Sequence, residues 1–163
     1  MEQMLVIGFG NPYRGDDGVG FQAAEQFETL NRDPAVTVLA RQELQPELAE
    51  VVSKVDFVVF VDAATPGTNA PGAVQARELA PKARDTGLFS HELTPETLLA
   101  AAKVLYGRCP QGMLVSITGE NFGISSQLSP AVSAALPNVF ARIRELLASA
   151  KGRELAMAQG AGR

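Results

Sequence analysis

His91 is the only histidine in the chain, and it stands in the run Leu88-Phe89-Ser90-His91-Glu92-Leu93-Thr94-Pro95. A single imidazole removes every layout that needs two histidines within one chain, so its chemical partners are carboxylates, a metal or another molecule. Three aspartates stand where they could serve. Asp16 and Asp17 follow the glycine-rich turn Gly8-Phe9-Gly10-Asn11-Pro12-Tyr13-Arg14-Gly15, and Asp62 follows the apolar run Phe57-Val58-Val59-Phe60-Val61. Two carboxylates and one imidazole suit a borderline divalent metal such as Ni²⁺ or Zn²⁺. A thiol nucleophile does not fit, because Cys109 lies in Arg108-Cys109-Pro110 with no second histidine to activate it.

These side chains meet only if the fold carries them to one edge. The runs at residues 4–9, 57–61 and 113–117 are apolar on both faces, as strands between two helix layers are. Residues 36–40 read as a fourth strand, and residues 74–77 as a weaker fifth at an edge. Helical spacing alternates with them: Val19, Ala23, Phe27 and Leu30; a short piece over 46–52; Leu98, Ala102 and Leu105; and Val132, Leu136, Val139, Phe140, Ile143 and Leu147. Thr94-Pro95-Glu96 is a helix start and Gly107 a helix end. Ser129-Pro130 starts the last helix, which Pro137 is expected to kink or split. The pattern predicts a three-layer α/β/α sandwich with a mostly parallel twisted sheet of about five strands. It spans residues 1–150 as one domain, with a frayed tail over 151–163.

In such sheets, sites form beyond the carboxyl ends of the strands. Asp17 then opens the first helix at the end of strand one, Asp62 closes strand three, and His91 lies in the loop before the third helix. Their ligating atoms are expected ~3 to 5 Å apart. Each has a plainer role: aspartates cap helices, a strand-end aspartate bonds loop amides, and a lone loop histidine does nothing. Asp16 reads as structural. The turn also has the spacing of a phosphate loop, but Asp16-Asp17 stand where that loop needs Lys and then Ser or Thr, and Tyr13 replaces the third glycine of a dinucleotide fingerprint.

Composition narrows the classes further. The length of 163 residues suits one domain with its own core. A formal charge of −4 without a basic cluster argues against nucleic acid. No apolar stretch approaches the ~20 residues that span a bilayer. The lone cysteine and the absence of a secretion signal point to the cytoplasm.

The run from Leu5 to Gly20, LVIGFGNPYRGDDGVG, closely resembles the opening motif of the hydrogenase maturation endopeptidases. The resemblance continues at Val61-Asp62-Ala63-Ala64, at Ser90 to Pro95, at Leu114 to Gly119 and at Ser129 to Val132, and covers about residues 4 to 147. It implies a protease that removes a C-terminal extension from the precursor of the nickel-iron hydrogenase large subunit after nickel is loaded. The nickel is supplied by the substrate, and a surrogate divalent metal is conceivable in the free enzyme. The family's metal-contacting acid, aspartate and histidine carry over onto Asp17, Asp62 and His91, the first being Glu in some members and Asp in others. Where many members have an acidic residue and a glycine-rich turn after the second strand, this chain has Ala40-Arg41-Gln42-Glu43-Leu44-Gln45-Pro46. Residues 64–90 and 121–128 are candidates for gripping the partner. The alternatives are a non-cleaving metal-binding assembly factor for hydrogenase and a nucleotide-binding Rossmann-like domain.

Overall fold

Strands made of Val, Ile, Leu and Phe without polar alternation must be covered on both faces, which dictates helices above and below the sheet. The computed structural model of the protein, which describes residues 2–83 and 93–161, is built this way. In chain order the elements are β1 (Met4–Phe9), α1 (Val19–Leu30), β2 (Val36–Arg41), α2 (Leu48–Ser53), β3 (Phe57–Ala64), β4 (Val74–Leu79), α3 (Pro95–Tyr106), β5 (Gln111–Thr118) and α4 (Pro130–Ala161). A 3-10 turn, Gly15–Gly18, leads into α1. The sheet has the order β2-β1-β3-β5-β4. All its pairings are parallel except that of the edge strand β4, which runs antiparallel to β5.

Alternate residues of the central strands serve the two layers. Met4, Val6, Val59 and Val61 pack with Val19, Ala23 and Phe27 of α1 and with Val132, Val139 and Ile143 of α4. Leu5, Ile7, Val58 and Phe60 pack with Leu48 and Val52 of α2 and with Leu98, Leu99 and Ala102 of α3. Each large side chain buried here contributes roughly 1.5–3 kcal/mol. A one-residue slip would exchange the two sets.

This order creates a crevice. β1 leads through α1 to β2 on one side, and β2 returns through α2 to β3 on the other side of β1. The helices therefore diverge at the carboxyl ends of β1 and β3, the switch point of a doubly wound sheet. Pairing of β1 with β3 ends at Gly8 and Val61. Asp62 is the next residue, in register with Ser116 of β5. Helix α1 approaches this edge at backbone contact: a Cβ on Gly20 would lie 2.2 Å from the Val61 carbonyl oxygen and 2.5 Å from that of Phe9.

Helix α3 follows its sequence signals. Thr94 caps it in a capping box, Pro95 stands in the first turn, and Gly107 closes it with φ 74°. Two residues expected in the buried stripes are not there: Leu30 is 46% and Leu105 50% exposed. Both sit in last turns whose neighbouring residues are exposed as well. Periodicity marks a helix face but not how far the opposing layer extends. Pro137 lies inside a single helix α4 and does not divide it. That helix also runs on to Ala161, past the expected end of order near residue 150. Its start makes tertiary contacts: Lys151 pairs with Asp33, and Arg153 donates to Gln111 Oε1 at 3.0 Å with its guanidinium over the Phe57 ring.

Gly20→Ala is expected to lower stability by roughly 1–3 kcal/mol, because helix or strand must retreat from the added methyl. Urea denaturation of both proteins checks this, and an unchanged midpoint would show that α1 approaches the strands less closely.

Candidate functional site

The turn after β1 is fixed by a buried carboxylate. Asp16 has no exposed surface. Its Oδ2 accepts hydrogen bonds from the N–H groups of Glu120 (2.8 Å) and Asn121 (3.0 Å) and from the Ser129 hydroxyl (2.8 Å). Its Oδ1 accepts from the Ser129 N–H at 2.8 Å. Burial works to raise the pKa of this carboxyl, but the bonds from Asn121, Glu120 and Ser129 outweigh it, so the group is held below its ordinary value. The backbone adds to the clamp, since Gly15 N–H donates to Ser125 O and Asp16 N–H to Asn121 O, both at 2.8 Å. The β1–α1 turn and the segment between β5 and α4 are thus one unit. Asp16 is structural, in line with the sequence reading.

The next residue faces elsewhere. Asp17 is partly buried, and its Oδ2 accepts the Asn11 N–H at 2.9 Å. Asp62, also partly buried, accepts the Ala63 N–H on Oδ1 at 2.8 Å. Both line one cleft of about 770 Å³ at the switch point, together with Gly10, Glu43, Glu47, Leu93 and Thr94. Among the described residues, the ionisable groups lining it are Asp17, Glu43, Glu47 and Asp62, all carboxylates. Such a lining favours a cation. His91, the third member of the expected set, lies outside the described residues, as do residues 84–92 as a whole. Among the described residues no three His, Cys, Asp or Glu side chains gather into a metal cage.

A second cleft, of about 800 Å³, adjoins the first and shares Asp17, Gln42, Glu43 and Gln45 with it. Asn11, Arg14, Arg41 and Phe122 complete its wall. The segment after β2 therefore divides the two clefts. The sequence flagged that segment only for departing from a family pattern. Its placement follows from β2 lying beside β1 with the same polarity, which puts the β2–α2 loop on the carboxyl edge too. Of the candidate gripping segments, 121–128 contributes Phe122, whereas no described residue of 64–83 lines either cleft.

Two other chemistries fit poorly. The N–H groups of the turn, from Gly10 to Asp17, all donate inside the protein, among them Gly10 to Arg41 O and Arg14 to Asn11 O at 3.1 Å each and Tyr13 to Asn11 Oδ1 at 2.9 Å. They are spent, and cannot cradle a phosphate. Cys109 precedes β5, at the opposite end of the parallel strands from Asp17 and Asp62. Burial pushes its thiol pKa up, with partial relief from Lys103, so it is no ready thiolate.

Fold and cleft together define a doubly wound α/β domain with an acidic crevice at its switch point. Among solved structures, the same fold is found in hydrogenase maturation proteases. The hydrogenase maturating endopeptidase HybD from E. coli matches with a TM-score of 0.71 and 21% identity, over 91% of this chain and 93% of its own. The [NiFe] hydrogenase maturation protease HycI from Thermococcus kodakarensis matches at 0.72 and 23%, over 90% and 92%. A hydrogenase 2 maturation peptidase from a Thaumarchaeota archaeon matches at 0.69 and 24%, over 90% and 99%. The likeness is one of fold. No protein-family model and no curated protein sequence matches the chain. No helix among the described residues is long and apolar enough to cross a membrane.

Asp16→Asn turns one acceptor oxygen into a donor facing N–H and O–H groups, and should cost about 3 kcal/mol at pH 7. Because the folded pKa is depressed, the charged group stabilises above its unfolded pKa of about 3.9, and that stability is lost as pH falls through the folded value. Urea midpoints of wild type and variant should therefore converge in acid. A gap independent of pH would contradict the charged clamp.

Proposed function

We propose that the protein is an endopeptidase that removes the C-terminal extension of an immature nickel-iron hydrogenase large subunit. In this reading Asp17, Asp62 and His91 take hold of the nickel that the substrate carries. The observation that carries it is the cleft at the β1–β3 switch point, lined by both Asp17 and Asp62, whose ionisable groups among the described residues are all carboxylates. The sequence motifs around those residues and the fold of the solved maturation proteases support the same reading.

The chemistry follows from the ligand set. Two carboxylates and one imidazole leave positions open on a divalent ion, so a nickel already held by the substrate's own ligands can be shared. Sharing fixes the scissile bond relative to the cleft, and proximity of this kind is worth several orders of magnitude in rate. That nickel would polarise the scissile carbonyl or a water, so that water could add to the carbonyl carbon and the C–N bond break with release of the amine, without a covalent enzyme intermediate. Substrate lacking nickel offers nothing for the three ligands to grip. A surrogate divalent ion in the free protein would occupy the same place. The lone thiol, which has no internal disulfide partner, suits a cytoplasmic site of action.

Incubated with nickel-loaded and nickel-free precursor, the protein should shorten only the loaded form, as read by intact mass. Equal trimming of both, or a loaded precursor left at full length, would sink this function; the second result would leave a non-cleaving assembly factor. Asp17→Asn, Asp62→Asn and His91→Ala should each lower kcat/KM at least about 100-fold, with thermal midpoints near wild type. Full activity of any one removes that residue from the ligand set.

A further inference from the structure

The two adjoining clefts differ in charge. Among the described residues, the ionisable groups of the one containing Asp62 are carboxylates, whereas its neighbour adds Arg14 and Arg41. The chain carries a net charge of −4, yet two arginines line this cleft beside Asp17 and Glu43. Neither forms an ion pair among the described residues. Arg41 Nη1 donates only to the carbonyl of its own neighbour Ala40, at 2.8 Å. Both guanidiniums are exposed, yet their backbones are held firmly. Arg14 bridges to Ser125 within the Asp16 clamp, and the Arg41 carbonyl accepts the Gly10 N–H at 3.1 Å.

Resting on the function proposed above, we propose that Arg14 and Arg41 bind a carboxylate of the polypeptide substrate and so set its specificity and direction in the groove. The planar guanidinium fork matches a carboxylate for bidentate contact. A phosphate is disfavoured, because Asp17 and Glu43 line the same cleft and would repel a dianion. The groove then reads charge at two points: a cation at the Asp17–Asp62 end and a carboxylate at the Arg14–Arg41 end. That carboxylate belongs either to an acidic side chain of the extension or to its terminus.

The test is steady-state cleavage of nickel-loaded precursor by wild type, Arg14→Gln, Arg41→Gln and the double variant, with Arg142→Gln on α4 as a control for charge loss. The double variant should raise KM about tenfold and leave kcat within about twofold. Added salt should raise KM for wild type and much less for the double variant. Two further precursors identify the source: one with the extension's Asp and Glu changed to Asn and Gln, one ending in an amide. One of them should raise the wild-type KM by a similar factor and add little to the double variant's. Wild-type cleavage with KM unchanged in the double variant overturns this inference and leaves the protease reading standing. Absence of wild-type cleavage overturns both.

Discussion

A carboxylate with no exposed surface persists only when donors saturate it, since an unpaired buried charge costs several kcal/mol. Asp16 meets that condition with two loop amides and both donors of Ser129, the residue before α4. These bonds join the first turn of the chain to a segment more than a hundred residues later. They also decide where Asp17 and Arg14 stand, because both belong to the clamped turn. Around the clamp packing leaves no slack: a Cβ on Gly119 would lie 3.0 Å from the Asp16 Cβ and 2.5 Å from Phe122 Cζ. The site is rigid on this side for an electrostatic reason, and Phe122 reaches the cleft wall through the same segment.

The opposite wall depends on topology. Parallel strands wound in both directions from β1 leave a gap at one edge, and every loop leaving a carboxyl end can contribute to it. Loops after β1 and β2 do so here, as do Asp62 near the end of β3 and the start of α3. Glycines at the first turn of α1 let helix and strand ends meet at backbone distance. The resulting groove carries unequal charge along its length, although the surface as a whole is only mildly acidic. In the proposed function, one feature serves the ion and the other the polypeptide that carries it.

Much of this is legible in the sequence. Apolar runs located the strands, because a run apolar on both faces has no alternative but burial between layers. Thr94-Pro95 and Gly107 located α3, because capping is a local hydrogen-bonding requirement. Asp17 and Asp62 were placed on one edge by strand polarity alone, and they do line one cleft. Less visible were the features that depend on contacts between distant segments. Leu30 and Leu105 keep helical period yet lie exposed in the last turns of their helices. Past residue 150, α4 is met by Asp33, Gln111 and Phe57, which receive Lys151 and Arg153. His91, the third member of the set, lies outside the described residues.

The sequence by itself determined the layers, the strand polarity and the residue types able to bind a cation, because each follows from local pattern and the behaviour of parallel sheets. Only the tertiary structure decided which of two adjacent aspartates is buried as a clamp and which faces the cleft. Asp16 and Asp17 have the same side chain and nearly the same neighbours. What separates them is the donor set brought by residues 120–129, and nothing local to the pair encodes it. The same holds for Arg14, Arg41 and Glu43: their shared cleft exists because strands far apart in sequence stand side by side.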